Sequence, residues 1–379
     1  MIRVEGFHGV RCSVLACATG RRARKHEWVL WPRSGGDNAQ THDAQGPVRL
    51  TATDAHAAGG VVRLVTGGFP VPRGRTIEDK TKWLVRRHEG LCSALTLEPR
   101  GYDGIVLAVL CEPVTSGADA GILFRHAARF VPLCGHGLMG AATIAIERRL
   151  IVPRNPGRLT LDTAAGLVAL EFDTLHAEDR TRVVRVRYVS PPSFVFAGGV
   201  DIKVGRRVIP ADIAFGGAEF LAILDSEAAG VPLARTHLAD LQRAARVVLD
   251  AVEASIPVAH PVDAAIHGVG GIVFTGPPER GDAQLRCAPI YADGTADRSA
   301  SGAAVSAVVA VLDAMGLAGA GLVTIESLAG TTMSGRVVEH PIVGEINGVR
   351  VEVEASAWIV ADHEFFLEAD DPLVHGVSW

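Results

Sequence analysis

The chain has 379 residues, 48% of them hydrophobic, and a formal charge of −5. That is enough apolar material for two domains or one fold of two lobes, and the acidic balance gives no basic footprint for nucleic acid. The cysteines form no CxxC pair, which argues against a disulfide framework or structural zinc and fits reduced thiols in the cytosol. No apolar run of membrane-spanning length is free of polar interruption, so no membrane segment is expected.

Residues 1–46 carry "GRRARK" and the polar stretch "RSGGDNAQTHDAQG". They read as a poorly ordered extension or an upstream start, not a targeting segment. Ordered structure is expected from near Val48. Beyond it, "VVRLVTGG", "GIVLAVL", "AGILFR", "RVVRVRYV", "FLAIL", "GIVFTG" and "GVRVEVEA" are rich in Val, Ile and Leu and bounded by Gly, Pro or Asp. They predict strands. Two helices stand out between them. After Cys134 the apolar positions Met139, Ala142, Ile146 and Leu150 step by three and four, with Pro153 as the stop. After Ser301, Val305, Val308, Leu312 and Met315 do the same, and Gly316 is placed to end the helix. The stretch from Glu339 to Pro372 predicts closing strands.

The pattern repeats. Downstream of the first helix lies "LTLDTAAGLVALEF", and downstream of the second "VTIESLAGTTMSGRVVE". Cys134 to Gly166 and Ser301 to Gly330 are both spacings of about 30 residues, too few copies for a solenoid but enough for two facing lobes. The cleft between them, where both helix N-termini point, is the expected site of chemistry.

A helix N-terminus presents unsatisfied N–H groups and partial positive charge. It therefore binds a carboxylate and favours ionisation of a thiol placed there. Gly135 and Gly302 let the backbone approach a ligand without an intervening Cβ. Two such mouths sharing one carboxylate would hold its α-carbon between Cys134 and Ser301, the geometry for moving an α-proton. Taken alone, Ser301 reads as a helix cap, and Cys134 reads equally as an inert buried thiol. Asp54 and His56 in "TDAHAAGG" lack a third ligand at a telling spacing and read as structural. Cys111 and Cys287 fall within strands and read as packing residues.

"LCGHG" at 133–137 and "DRSASGAAVSA" at 297–307 resemble the two signature segments of the proline racemase family, which also includes hydroxyproline epimerases and trans-3-hydroxy-L-proline dehydratases. The resemblance runs from about Thr51 to Phe366 and takes in "EPRGYDG", "GADAGILF", "DTAAGLV", "DIAFGGAEF" and "ESLAGTTMSGRV". It implies an α+β, diaminopimelate-epimerase-like fold of two pseudo-symmetric lobes, each a β-barrel-like sheet around a central helix. Residues 47–190 would form the first lobe, with 350–379 returning to it, and 191–349 the second. By position, Cys134 would be a catalytic base. Gly135, His136, Gly302 and Ala303 would bind substrate, and Asp297 would face a ring nitrogen. No metal or organic cofactor is implied. The expected partner is a small proline-type substrate, with a monomer or homodimer in the cytoplasm and neither nucleic acid nor membrane involved.

One departure matters most. Where the family's racemases carry a second cysteine this chain has Ser301, and a serine hydroxyl is a weak base unless a neighbour activates it. The family's dehydratases likewise keep the first cysteine and carry a hydroxyl residue opposite. The resemblance therefore implies dehydration of trans-3-hydroxy-L-proline, with Cys134 as base and Ser301 ordering substrate or water. A 4-hydroxyproline 2-epimerase or proline racemase is the alternative, and a non-catalytic cyclic amino acid binding protein the third reading.

Overall fold

The computed structural model describes residues 47–126, 129–177 and 180–378; the extension expected over residues 1–46 lies outside them. Among these residues five α-helices, α1 (Ile77–Thr96), α2 (Gly135–Glu147), α3 (Ser226–Ala229), α4 (Leu238–Ser255) and α5 (Gly302–Ala314), accompany a large mixed sheet. All seven strand expectations are met within a few residues, and the closing strands fall at 342–343, 346–355 and 357–367.

The duplication is deeper than the sequence pattern alone. In the first half the strand at 60–67 pairs in parallel with 106–111, and α1 is the crossover between them. In the second half 220–225 pairs in parallel with 271–276, across α3 and α4. Such parallel neighbours need a crossover, which a helix supplies. Each half then adds an antiparallel strand, 120–126 or 285–291. That strand leads to α2 or α5, and each half ends in a hairpin, 158–177 or 323–339.

In the second half the pairing passes from 193–204 through 207–215, 220–225, 271–276, 285–291, 323–327 and 332–339 to 346–355, which pairs back onto 193–204. The strand 346–355 also pairs with 180–189 of the first half. Its continuation at 357–367 lies antiparallel on 48–57, Val48 opposite Leu367. The last strand thus returns to the start of the described chain.

The repeated acid-[TS]-x-A-G segments have a structural cause. Asp162 Oδ2 accepts the N–H groups of Val114 and Thr115, both at 2.8 Å. Glu326 Oε2 accepts those of Glu279 and Arg280 at 2.7 and 3.0 Å. Both carboxylates are buried, and each is satisfied by two consecutive N–H donors of the loop before the mouth-bearing segment, as a buried charge requires. Gly166 and Gly330 close the turns at φ +99° and +81°, a region that glycine enters without strain.

The central helices are apolar all round and contribute to one core. Leu138, Met139, Ala142 and Ile144 of α2 share it with Val305, Val308 and Val309 of α5, as expected of helices buried on every side. The outer helices α1 and α4 pack on separate clusters through Leu84 and Leu95, and through Leu241, Val248 and Val252. Gly316, at φ +72°, ends α5 as expected. The first helix is shorter than its apolar spacing suggested. It stops at Glu147, Arg149 turns to φ +55°, and Leu150 N–H returns to Ala145 O at 2.8 Å. Leu150 still packs against the core, so the period continued although the helix did not.

Asp54 is committed to structure. Arg63 holds it through two hydrogen bonds of 2.9 and 2.8 Å, and His363 lies 2.9 Å from its second oxygen. His56 stacks on Trp358. Cys111 and Cys287 are buried in strands, where burial pushes the Cys111 thiol up to about 12. That suits a packing residue and not a nucleophile.

Candidate active site

Cys134 and Ser301 occupy the N-cap positions of α2 and α5, and they use them differently. Ser301 Oγ accepts the Ala304 N–H at 3.5 Å. The Cys134 thiol caps nothing. Its Sγ lies 3.6 Å from His136 Nε2 and 3.8 Å from Nδ1, and the residue remains partly exposed.

The two mouths meet. A Cβ built on Gly135 would lie 2.9 Å from Gly302 Cα and 2.6 Å from Tyr188 Oη; one on Gly302 would lie only 2.2 Å from that hydroxyl. What comes close to these glycines is the opposite helix and a buried tyrosine. Ala303 sits one residue further on, its carbonyl against the turn at Gly216, where a Cβ would be 2.2 Å away.

Asp297 is buried beneath this junction. Its Oδ1 accepts both the N–H and the hydroxyl of Ser299 at 2.8 Å. Its Oδ2 accepts the Tyr291 hydroxyl at 3.1 Å and faces His136 Nδ1 at 3.4 Å. Burial by itself would raise this carboxyl, but His136 and the Ser299 donors outweigh it and hold Asp297 at about 2. Burial by itself would lower His136, but negative charge at Cys134 and Asp297 holds the imidazole well above its ordinary 6.5. The arrangement is an imidazolium between a sulfur and a carboxylate, a pair strengthened by charge.

Ser301 is strained. Its φ is +58°, a region that costs a non-glycine residue about 1–3 kcal/mol and persists only where neighbours over-determine it. Here Ser301 N–H donates to Ser299 Oγ at 3.0 Å, and Ser301 Oγ lies 3.0 Å from Tyr291 Oη. An unbroken series of contacts therefore runs from Ser301 through Tyr291, Asp297 and His136 to Cys134.

Every residue expected at the site lies in this cluster: Cys134, Gly135, His136, Asp297, Ser301, Gly302 and Ala303. Sequence reasoning missed Tyr291, Tyr188, Ser299, His126 and Glu219. One signal was available. His126 and Tyr291 end equivalent strands, each shortly before a mouth, and their rings meet edge to face at 5.2 Å. His126 Nδ1 is 3.9 Å from Asp293 Oδ2. Burial pushes the Glu219 carboxyl up to about 7, with Arg129 opposing the shift and Asp293 and Asp297 adding to it. A groove of about 660 Å³ between Arg148 and Asp362 lies at the other end of α2 and holds none of these residues.

A mixed α+β fold in which two helices meet at their N-termini, one preceded by a cysteine and the other capped by a serine, defines a class, and comparison with known proteins agrees with it. The chain belongs to the proline racemase family, whose model, described as proline racemase, matches residues 52–378. It is 32% identical over 327 residues to a 4-hydroxyproline epimerase of Brucella suis. It is 31% identical over 328 residues to a trans-3-hydroxy-L-proline dehydratase of Bacillus cereus, and 30% over 330 residues to a proline racemase of Clostridioides difficile. Each match covers 86% of this chain and 97% of the relative. Among solved structures, a hydroxyproline epimerase from Agrobacterium vitis with trans-4-hydroxy-L-proline bound superposes with a TM-score of 0.78 at 25% identity, covering 89% of this chain and 96% of that one. A PhzF-family phenazine biosynthesis protein from Bacillus anthracis has a TM-score of 0.51 at 12% identity, covering 84% and 99%. That second likeness speaks to fold alone.

Proposed function

We propose that the chain is a hydro-lyase that converts trans-3-hydroxy-L-proline to Δ1-pyrroline-2-carboxylate. The observation that carries this reading is the asymmetry of the two mouths. One presents a sulfur beside an imidazolium; the other presents a hydroxyl already engaged in capping a helix. A two-base racemisation needs an acid on each side of the α-carbon, and serine is a poor one without an activating base.

In the proposed step the substrate carboxylate lies against the N–H groups at Gly135, His136, Gly302 and Ala303, where helix dipoles favour it. The Cys134 thiolate takes the α-hydrogen as a proton. The freed electron pair forms the Cα–Cβ double bond, and the C3–O bond breaks. In trans-3-hydroxy-L-proline the hydroxyl shares a face with the α-hydrogen, so the new thiol lies on the side from which hydroxide leaves. It returns the proton, and water departs. The resulting enamine tautomerises to the pyrroline. His136, as an imidazolium, compensates charge on the sulfur, and Asp297 compensates charge on His136 and on the ring nitrogen of the substrate.

The same reading takes the halves as barrel-like sheets around α2 and α5, residues 47–190 with the C-terminal return and 191–349. Support for that division is the pairing circuit of the second half and the packing of 357–367 on 48–57. The second functional reading is a 4-hydroxyproline 2-epimerase, favoured by the Brucella suis relative, with Ser301 supplying the second proton.

A panel of proline and hydroxyproline stereoisomers separates the two. Pyrroline formation, read with o-aminobenzaldehyde, is expected from trans-3-hydroxy-L-proline. Inversion of trans-4-hydroxy-L-proline as the dominant activity, read by polarimetry, would move the assignment to the epimerase.

A further inference from the structure

The hydrogen bonds around Tyr291 can be counted, and the count decides what Ser301 is able to do. A tyrosine hydroxyl has one proton, and two oxygens compete for it: Asp297 Oδ2 at 3.1 Å and Ser301 Oγ at 3.0 Å. Asp297 is ionised and has no proton to give, so its contact with Tyr291 exists only if the tyrosine donates. Burial keeps the phenol well above its ordinary value, so Tyr291 does not lose that proton itself. The contact between Tyr291 and Ser301 must then be donated by the serine. Ser301 Oγ also accepts the Ala304 N–H. Its proton and one lone pair are both engaged, and a single lone pair remains.

The backbone leaves little room for another arrangement. Ser301 is held at φ +58° by its own N–H bond to Ser299 Oγ, and Ser299 is held in turn by two bonds to Asp297 Oδ1. Carboxylate, tyrosine and both serines form one fully satisfied network, in which each donor has a fixed acceptor.

We infer that Tyr291 is a positioning residue that draws the Ser301 proton away from the substrate, so that Ser301 meets the substrate as a hydrogen-bond acceptor and the α-carbon face opposite Cys134 receives no proton. This rests on the reading of Cys134 as the base. It adds that the chain suppresses inversion through Tyr291, beyond the weakness of serine as an acid. It also defines the substrate group that Ser301 would recognise: a donor such as the secondary ammonium, since the departing hydroxyl lies on the Cys134 face.

The test uses L-proline in D₂O, a substrate with no leaving group, analysed by chiral chromatography and mass spectrometry. The wild type is expected to exchange the α-hydrogen with retention and to form almost no D-proline. Tyr291→Phe removes the acceptor of the Ser301 proton. That proton is then free to reach the carbanion, with water refilling the serine, and the ratio of D-proline formation to same-face exchange is expected to rise at least about tenfold. The double variant Tyr291→Phe/Ser301→Ala should lose the gain.

A ratio of D-proline formation to same-face exchange no higher in Tyr291→Phe than in the wild type, or a gain that survives loss of Ser301, overturns the inference alone. A wild type that exchanges no α-hydrogen overturns the base assignment and this inference with it. If Tyr291→Phe loses exchange altogether, Ser301→Ala decides. The acceptor role predicts a KM for trans-3-hydroxy-L-proline raised about fivefold or more with kcat within about threefold, and a fall in kcat at constant KM contradicts it.

Discussion

At the level of single residues, the site depends on His136 and Asp297 charging each other. Asp297 titrates at about 2 when folded against an ordinary 3.8. A depressed carboxyl contributes stability above its unfolded value, and that contribution is lost as pH falls through the folded value. His136 is raised above 6.5, so its contribution is complete below 6.5 and is lost as pH rises through the folded value. The pair is therefore fully stabilising from about pH 4 to about 6.5, and the His136 share fades as pH rises through its raised folded value. Asp297→Asn should lower Tm at about pH 6, and the deficit should shrink as pH is brought toward about 2, where the wild-type carboxylate is also lost. A deficit independent of pH would mean that the carboxylate charge is not what the fold uses. His136 and Asp297 were legible in the sequence because both lie inside signature segments. Tyr291 and Tyr188 were not, because each comes from a strand whose neighbours at the mouth are set only by the tertiary fold.

The elements that place these residues carry their own tests. Gly302→Ala would set a Cβ 2.2 Å from Tyr188 Oη and 3.1 Å from Gly135 Cα, an overpacking that costs about 1–3 kcal/mol. Tyr188→Phe removes the nearer atom. The double variant should recover part of the loss, and strictly additive effects would show that the two do not meet. The two buried acids of the repeat should behave alike. Asp162→Ala and Glu326→Ala each remove two backbone hydrogen bonds to a carboxylate, at about 1.5–3 kcal/mol per bond. Denaturant unfolding is expected to show a comparable loss for both, and either variant as stable as the wild type would contradict the account. The sequence showed the acid and its glycine but not their purpose, because the donating loops lie some 47 residues away for both acids. The outer helices went unremarked although their signals are present. Thr76 and Asp79 form a capping box before α1, and Leu241, Ala245, Val248 and Val252 trace the buried face of α4.

For the molecule as a whole, duplication was legible where the two copies share residue types and hidden where they share only geometry. The matching parallel pairs, 62 with 106 and 221 with 271, have no common motif. The return of 357–367 to 48–57 depends on a register that no local pattern specifies. Two-fold likeness is also what makes the difference at the mouths informative. Equivalent strands bring His126 and Tyr291 into contact, and equivalent helices bring Gly135 and Gly302 together. At the equivalent caps, however, one side offers sulfur and the other a hydroxyl turned to Tyr291. The rate of pyrroline formation from trans-3-hydroxy-L-proline in Cys134→Ala, set beside Ser301→Ala, tests this account most directly. Loss of the sole base predicts a fall in kcat of about 10²–10⁴-fold, while loss of Ser301 should leave kcat within about threefold and act on KM. A Cys134→Ala enzyme that still dehydrates at a rate near the wild type would contradict it.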